Sequence, residues 1–313
     1  MITQAFVLAA GLGIRLRPLT DDLPKPLVPI FQKPLITFAF DHLLAAGIDR
    51  LIVNTHRHPE RFREMFPESN YHGREIIFLH EPDLLETGGG IKNAENVLGP
   101  RSFITYSGDL LTDIDLHSLI ENHFRHRNDV TLALREKGLG ADIALRNRRV
   151  VDICNQYGVK GDLDFAGIAV WNATVFQRIP ANKKTSFIPI LAQWIGEKGK
   201  VGGIILNEGR WFNIGSISQY LEVHREILRS EWRPSYLTDA RWPSSISERA
   251  EVACTAKIFG CSVAGANCRV GEGAVLYDTI IWPGAQIAPR SELRNCIVRS
   301  HHLAKGTLLD VIV

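Results

Sequence analysis

Two stretches near the start of the chain carry residues suited to binding a polyphosphate. An apolar strand ends at Ala10 and runs into residues 11–15, Gly-Leu-Gly-Ile-Arg, and Lys25 follows within the string Leu-Pro-Lys-Pro-Leu-Val-Pro. Glycines expose backbone N–H groups that an anion can approach closely. Arg15 and Lys25 are cations placed to complete the neutralisation of that anion. The pattern predicts a loop that holds phosphate groups and the charge that develops when one of their bonds breaks.

This loop differs from the two common nucleotide-binding loops. A dinucleotide-binding loop has a third glycine three residues after the second, where this chain has Leu16. A P-loop needs Gly-Lys followed by Ser or Thr, and this loop has no such tripeptide. A plain glycine turn beside surface arginines is the alternative interpretation. The length of the string from Gly11 to Pro29 favours the phosphate site.

Composition restricts the classes of partner. The 313 residues are 45% hydrophobic, enough for one large core and a smaller unit. The 36 Lys and Arg balance 34 Asp and Glu, which gives no reason to expect a nucleic-acid or membrane partner. No apolar run reaches the length of a membrane span, and residues 1–10 lack the features of a signal peptide. We therefore expect a cytoplasmic protein whose five cysteines are reduced and buried.

The first two thirds of the chain alternate predicted strands and helices. The expected strands are 6–9, 50–54, 76–79, 103–106 and 130–134, and the expected helices are 34–46, 90–97 and 116–125. This spacing predicts an α/β fold with a three-layer, mostly parallel, Rossmann-like sheet. Ligands of such sheets bind at the carboxyl ends of the strands, where Gly11 and Asp109 both fall.

A different pattern follows residue 249. Residues 231–249 lose periodicity and are predicted to be a linker. Beyond them, aliphatic or small residues recur at every sixth position, with a one-residue slip: Val252, Ile258, Ala264, Val270, Leu276, Ile281, Ile287 and Leu293. This period predicts a short hexapeptide β-helix, and hence domains at 1–230 and 250–313. The apolar end at 308–313 needs a cover, either a second copy of the chain or the chain's own tail.

Several strings resemble the sugar-1-phosphate nucleotidyltransferases. They are Gly-Leu-Gly-Ile-Arg-Leu-Arg-Pro-Leu-Thr at 11–20, Pro-Lys-Pro at 24–26, Leu-Glu-Thr-Gly-Gly-Gly at 85–90, Ser-Gly-Asp at 107–109, Phe-Ala-Gly-Ile at 165–168 and Trp-Phe-Asn-Ile-Gly at 211–215. The resemblance covers residues 1 to about 230 and is strongest to the N-acetylmuramate-1-phosphate uridylyltransferases and the mannose-1-phosphate guanylyltransferases. It implies Mg²⁺-dependent transfer of a nucleotidyl group from an NTP, UTP or GTP, to a sugar 1-phosphate. It also implies that the β-helix is left-handed, and a homo-oligomer formed through that β-helix is expected.

The resemblance implies roles for individual residues. Arg15 stabilises the departing pyrophosphate, Lys25 bridges the α-phosphate and the sugar phosphate, and Asp109 binds the metal, although a helix N-cap is the alternative for Asp109. The implied nucleotide contacts are Leu8, Ala10, Gly11, Gly13, Ile14, Glu81, Thr87 and Gly88. The implied sugar-phosphate contacts are Gly140, Asp142, Lys160 and Gly167. For Glu81 and Lys160 a loop charge in solvent is the alternative. Asp113 and Asp115 are interpreted as caps of the next helix.

Asn213 departs from the family pattern. The matching position usually holds an aspartate that acts as a second metal ligand, and the neutral amide oxygen of Asn is a weaker ligand for a hard cation. The second metal is then bound loosely, Glu208 substitutes, or activity is lost. If activity is lost, the alternative function is that of a non-catalytic nucleotide-sugar-binding subunit. His301 and His302, near the end of the β-helix, raise acyl transfer as another.

Overall fold

Strands and helices alternate through the part of the chain before residue 231, as predicted. The strands there are β1 (Gln4–Leu8), β2 (Pro29–Ile30), β3 (Lys33–Pro34), β4 (Arg50–Thr55), β5 (Asn70–Tyr71), β6 (Arg74–His80), β7 (Phe103–Ser107), β8 (Leu110–Thr112), β9 (Val130–Arg135), β10 (Ala144–Arg146), β11 (Arg149–Asp152), β12 (Asp164–Trp171), β13 (Val201–Ile205) and β14 (Trp211–Asn213). The helices are α1 (Leu35–Ala45), α2 (Pro59–Met65), α3 (Glu86–Asn93), α4 (Glu95–Leu98), α5 (Leu116–Arg125), α6 (Phe187–Gly196) and α7 (Ile217–Ser230).

The computed structural model describes residues 2–313, which fold into two compact units. The first unit consists of residues 2–12, Pro24–Pro26 and Ile36–Asn213. The second unit consists of Gly13–Leu23, Leu27–Leu35 and Ile214–Val313. Two segments from the start of the chain therefore fold with its end. None of the helices in residues 2–313 has the length and hydropathy needed to span a membrane.

A ten-stranded mixed sheet forms the centre of the first unit. Its strand order is β10-β11-β13-β9-β12-β7-β1-β4-β6-β5. Strands β1, β4, β6, β7, β9, β10 and β13 run in one direction, and only β5, β11 and β12 run against them. The prediction of a mostly parallel sheet is confirmed. The antiparallel strand β12, which pairs with both β7 and β9, is not foreseen by the sequence pattern.

Helices cover both faces of this sheet. His123 of α5 hydrogen-bonds through Nδ1 to Thr131 Oγ1 of β9 at 3.0 Å. The next residue, Leu132, belongs instead to the buried apolar cluster that includes Leu191 and Trp194 of α6. Since consecutive strand residues point to opposite faces, α5 and α6 lie on opposite sides of the sheet. The predicted three layers are therefore present.

Three parallel ladders form the last part of the second unit. Its strands are β15 (Glu251–Val252), β16 (Lys257–Phe259), β17 (Val263–Ala264), β18 (Arg269–Val270), β19 (Val275–Tyr277), β20 (Ile280–Ile281), β21 (Gln286–Ile287), β22 (Glu292–Arg294), β23 (Ile297–Val298), β24 (Leu303–Ala304) and β25 (Thr307–Leu309). The ladders are β15-β18-β21-β24, β16-β19-β22-β25 and β17-β20-β23, which is the arrangement expected of a left-handed β-helix.

The hexad residues occupy matching positions in these ladders. Val252 pairs with Val270 and Val270 with Ile287, while Ile258 pairs with Leu276. Ala264 pairs with Ile281 across the one-residue slip. The side chains at these positions fill the interior of the β-helix, so the six-residue period is confirmed.

The cysteine prediction is only partly correct. Cys261, Cys268 and Cys296 are buried free thiols, as expected. Cys154 and Cys254 are free but exposed, because they lie in turns rather than in the packed interior.

Candidate active site

The carboxyl ends of β1 and β7 bring two predicted site segments together in the first unit. The strands are parallel, with Leu8 opposite Ser107. The Gly108 N–H donates to the Leu8 carbonyl at 2.9 Å, and a Cβ on Gly108 would lie 3.1 Å from the same oxygen. A side chain at this position would require the neighbouring backbone to move by a few tenths of an ångström, so glycine favours this close approach. The segment from Ala10 to Gly11 and Asp109 therefore leave the sheet at the same edge, as predicted.

Lys25 and Asp109 form an ion pair at this edge. The Lys25 ammonium donates to Asp109 Oδ2. Lys25 is 9% exposed, whereas the Asp109 side chain keeps 30% of its surface exposed. Asp109 is not a helix cap, because α5 is capped by Asp115, whose Oδ1 accepts from the Ser118 N–H at 3.0 Å. The Asp115 cap is as predicted.

Strand pairing places Asn213 opposite the residue that follows Asp109. Strand β14 runs antiparallel to β8, with Asn213 opposite Leu110, the residue that follows Asp109. A carboxylate and an amide oxygen fit a hard cation that takes its remaining ligands from phosphate and water. No group of three or more His, Cys, Asp and Glu residues able to hold a metal occurs in the part of the chain from Ile2 onward. Glu208 is exposed in the turn before β14.

Asp113 has a role other than the predicted cap. Its Oδ1 accepts from the Arg210 N–H at 2.6 Å, and the Asp113 N–H donates to the Arg210 carbonyl at 3.2 Å. These bonds hold the start of β14 against the end of β8. The cap interpretation of Asp113 is wrong, because this carboxylate fixes the strand that carries Asn213.

A bulge in β12 brings Gly167 to the same region. The pairing of β12 with β9 shifts between Phe165 and Ala169, and Gly167 has a φ of 83°. A Cβ there would lie 2.5 Å from Leu110 Cδ1, so a side chain would collide with the strand that follows Asp109. The half-buried Trp211 donates from Nε1 to the Ala166 carbonyl at 2.9 Å, which anchors β14 to the bulge.

The other predicted sugar contacts lie in two loops that pack on each other. The Phe165 N–H donates to the Gly140 carbonyl at 3.0 Å, and a Cβ on Gly161 would meet the Asp142 carbonyl carbon at 2.2 Å. Gly140 and Asp142 both have positive φ, at 87° and 40°. Lys160 is exposed. The loops are thus fixed next to β12, and their contact with a sugar stays a prediction.

Glu81 is a buried link rather than a loop charge in solvent. It is 1% exposed, and its two carboxylate oxygens accept from Asn54 Nδ2 at 2.8 Å and from the Leu85 N–H at 3.1 Å. Asn54 Oδ1 in turn accepts from the Ala9 N–H at 2.7 Å. The solvated alternative is wrong, and Glu81 ties the end of β1 to the residue that precedes α3.

The glycines after Thr87 belong to a packed helix and not to a turn before it. Helix α3 begins at Glu86, four residues earlier than predicted. A Cβ on Gly88 would meet the Thr185 carbonyl oxygen at 2.9 Å, and the Gly89 N–H donates to the same oxygen at 2.9 Å. Thr87 Oγ1 accepts from the Phe187 N–H at 3.1 Å. The glycines let α3 approach this segment, and nucleotide contact by Thr87 and Gly88 stays a prediction.

Arg15 lies on a short turn of the second unit. Gly13 adopts the left-handed conformation with a φ of 62°, and Thr20 Oγ1 donates to its carbonyl at 2.8 Å. Ile14 is 59% exposed, and Arg15 is exposed as well. Among residues 2–313 the Arg15 guanidinium has no hydrogen bond or ion pair. The cation is therefore available for an anionic ligand.

Gly215 is a site residue that sequence reasoning missed. A Cβ on Gly215 would lie 3.1 Å from Arg15 Nη2 and 3.0 Å from Gln219 Oε1. A side chain there would require the Arg15 guanidinium and the Gln219 amide to shift by a few tenths of an ångström. The available signal is the last glycine of the string at residues 211–215, which is named above only as part of the resemblance.

Comparisons with known proteins agree with this architecture. Residues 4–139 match the nucleotidyl transferase family model. The D-glycero-alpha-D-manno-heptose 1-phosphate guanylyltransferase of Aneurinibacillus thermoaerophilus is 30% identical over 228 residues, covering 72% of this chain and 98% of that relative. The mannose-1-phosphate guanylyltransferase of Mycobacterium tuberculosis is 29% identical over 294 residues, covering 91% of this chain and 81% of that one.

A solved structure shares the fold. HddC from Yersinia pseudotuberculosis superposes with a TM-score of 0.60 at 23% identity, covering 71% of this chain and 97% of that chain. The relative at 30% identity shows that the chain belongs to the sugar-1-phosphate nucleotidyltransferase family, in agreement with the family model matched at residues 4–139.

Proposed function

We propose that this protein transfers a nucleotidyl group from UTP or GTP to a sugar 1-phosphate, with release of pyrophosphate. The observation that carries the proposal is the Lys25–Asp109 pair at the carboxyl ends of β1 and β7, with Asn213 on β14 opposite Leu110. Both reactants are anions, so a site for this reaction must gather positive charge where they meet. The names of the relatives, which act on sugar 1-phosphates, support the same chemistry.

Each residue has a role in this reaction. An oxygen of the sugar phosphate attacks the α-phosphorus, and the bond from that phosphorus to the pyrophosphate oxygen breaks. Lys25 holds the α-phosphate and the sugar phosphate in line, and Arg15 stabilises the charge on pyrophosphate. Mg²⁺ held by Asp109 and Asn213 would neutralise phosphate oxygens. The backbone from Ala10 to Ile14 contacts the triphosphate, and the sugar lies by Gly167.

A substrate panel tests the proposal. The parent protein is incubated with Mg²⁺, each of several nucleoside triphosphates and each of several sugar 1-phosphates, and pyrophosphate release is measured. We expect turnover with one base and one sugar, abolished in the Asp109→Ala variant. The absence of turnover with every pair, together with tight binding of a nucleotide sugar, would establish the non-catalytic subunit instead.

We further propose that the protein is cytoplasmic and self-associates through the last coil of the β-helix. Leu309 is 62% exposed and Leu303 is 55% exposed, and a second copy of the chain would cover these apolar side chains. Light scattering should give a molar mass of at least two chains for the parent and of one chain for Leu309→Lys. A monomeric parent would show that the coil end needs no second copy.

A further inference from the structure

One arginine of the β-helix binds the segment that carries Arg15. Arg299, which follows β23, donates from Nη1 to the Pro18 carbonyl at 3.1 Å and lies 3.3 Å from the Asp22 carboxylate. Its side chain is 18% exposed. The ion pair with the exposed Asp22 contributes little, whereas a charged donor to a backbone carbonyl is a strong hydrogen bond. Arg299 therefore fixes the backbone three residues after Arg15.

The Arg299 guanidinium is itself held in one orientation. Its Nε donates to the Val313 carbonyl at 3.3 Å, and its Nη2 donates to His302 Nε2 at 3.0 Å. His302 Nδ1 donates to the Ser300 carbonyl at 3.0 Å, which sets the tautomer of the ring. A side chain with its nitrogens engaged in this way can hold the Pro18 segment at a defined position.

The β-helix also supports the surface on which the Arg15 head group lies. Gly215, next to the guanidinium, comes two residues before α7. In α7 the Tyr220 hydroxyl accepts from Trp282 Nε1 at 2.9 Å and donates to the Pro29 carbonyl at 2.7 Å. Trp282 belongs to the β-helix. The β-helix therefore contacts both the backbone after Arg15, through Arg299, and the helix that follows Gly215, through Trp282.

We propose that Arg299 is a positioning residue that holds Arg15 ready for the departing pyrophosphate. The β-helix then contributes to nucleotidyl transfer by positioning Arg15, in addition to providing a surface for self-association. This inference rests on the proposed function, in which Arg15 stabilises the leaving group. Arg299 touches no substrate in this scheme, because its effect passes through the segment Gly13–Leu23.

Hydrogen exchange tests the structural half of the proposal without any substrate. The reporters are the N–H groups of Leu19 and Asp21, which donate to the carbonyls of Leu16 at 2.9 Å and Pro18 at 3.1 Å. We expect exchange in this segment to become about tenfold faster in Arg299→Ala. The matched control is Arg269→Ala, an exposed arginine of the β-helix whose Nε lies 2.9 Å from the Glu251 carboxylate. Unchanged exchange in Arg299→Ala overturns the proposal.

Kinetics test the functional half. Arg299→Ala should lower kcat/KM for pyrophosphate release by about tenfold to a hundredfold, mostly through kcat, because the lost interaction belongs to the transition state. Arg299→Lys should recover part of the loss. In an Arg15→Ala background the Arg299→Ala change should cost little, since the residue it positions is gone. Equal losses in both backgrounds contradict the proposal. A parent without turnover would refute the proposed function, while hydrogen exchange would still decide whether Arg299 fixes the segment.

Discussion

Arg15 and Asp109 illustrate how the surroundings of a single side chain suit it to bind a charged ligand. The Arg15 guanidinium is exposed and unpaired within the described chain, on a turn closed by the bond from Thr20 to Gly13. Asp109 is paired with Lys25, and so a cation and an anion stand next to each other at the strand ends. Substrate phosphates and a metal would replace this internal pairing with stronger partners.

Removing the Arg15 head group should slow the chemical step. We expect Arg15→Ala to lower kcat for pyrophosphate release by about a hundredfold or more, as is typical when a donor to developing charge is lost. Steady-state kinetics on the parent's best substrate pair measure this. Arg17→Ala is the matched control, because Arg17 is exposed and lies 3.5 Å from Asp21. Unchanged kcat in Arg15→Ala would show that the leaving group is stabilised elsewhere.

Restoring a carboxylate at position 213 should strengthen metal binding. Asn213→Asp adds a carboxylate opposite Leu110, the residue after Asp109, and hard cations prefer carboxylates to neutral amides. The Mg²⁺ concentration for half-maximal turnover should fall about tenfold, with Asn213→Ala shifting it the other way. If Asn213→Asp leaves the Mg²⁺ requirement of the parent unchanged, position 213 is not a metal ligand.

The chemistry of the site could be predicted from residue types, but the partners of each residue could not. Arg15, Lys25 and Asp109 are predicted from the sequence because cations near exposed glycines and a carboxylate at a strand end suit the binding of phosphate and metal. The buried state of Glu81 depends on Asn54 and Leu85, which strand order brings to it. Likewise the bond from Asp113 to Arg210 joins positions that are distant in sequence.

Helix α3 shows how packing overrides propensity at the scale of an element. Three consecutive glycines disfavour a helix, yet α3 includes all three. They are buried, and a Cβ on Gly89 would lie 2.6 Å from the Lys183 carbonyl oxygen. The approach of this neighbouring segment compensates the low propensity, which is why the helix start was predicted too late.

Filling this contact should destabilise the protein. We expect Gly89→Ala to lower the free energy of unfolding by about 1–3 kcal/mol, because backbone atoms must move to admit the methyl group. Asn93→Ala, an exposed position of the same helix, is the control and should change stability little. Thermal or urea unfolding compares the two. A Gly89→Ala variant as stable as the parent would show that the backbone at Lys183 can move to admit the methyl group without a cost in stability.

Strand direction was the main element-scale feature that the sequence did not reveal. Strand β12 is apolar and almost wholly buried, and such a run reads the same whether it pairs parallel or antiparallel. The β-helix was easier to predict, because each coil repeats its pattern and every hexad residue must face the same interior. A repeated local pattern therefore allows more of the structure to be predicted than a single buried strand does.

Buried histidines link the stability of the whole molecule to pH. Full burial lowers the pKa of His224 to about 4, although its Nδ1–H bond to the Tyr220 carbonyl, 2.8 Å long, acts in the opposite direction. Burial likewise lowers the pKa of His42 to about 4. Both rings are neutral in the folded protein at neutral pH, and the Phe31 N–H donates to His224 Nε2 at 3.1 Å.

The unfolding free energy should fall as pH drops from about 6.5 to 4. In that range these histidines are protonated in the unfolded chain but stay neutral in the folded protein. Each one therefore lowers the free energy of unfolding by up to about 3 kcal/mol by pH 4. Urea titrations at pH 7.0, 5.5 and 4.5 measure the slope. His224→Gln, which can keep both hydrogen bonds, should flatten it, and His80→Gln is the exposed control. A slope identical in His224→Gln and the parent contradicts this account.

The second unit combines segments that are far apart in the sequence, which has a consequence for folding during synthesis. Gly13–Leu23 and Leu27–Leu35 emerge early from the ribosome, yet the rest of their unit begins only at Ile214. Domains usually fold in the order of their synthesis, and contacts between distant residues form slowly. The Arg15 segment therefore makes its contacts with the rest of its unit only after the chain beyond Ile214 has been synthesised.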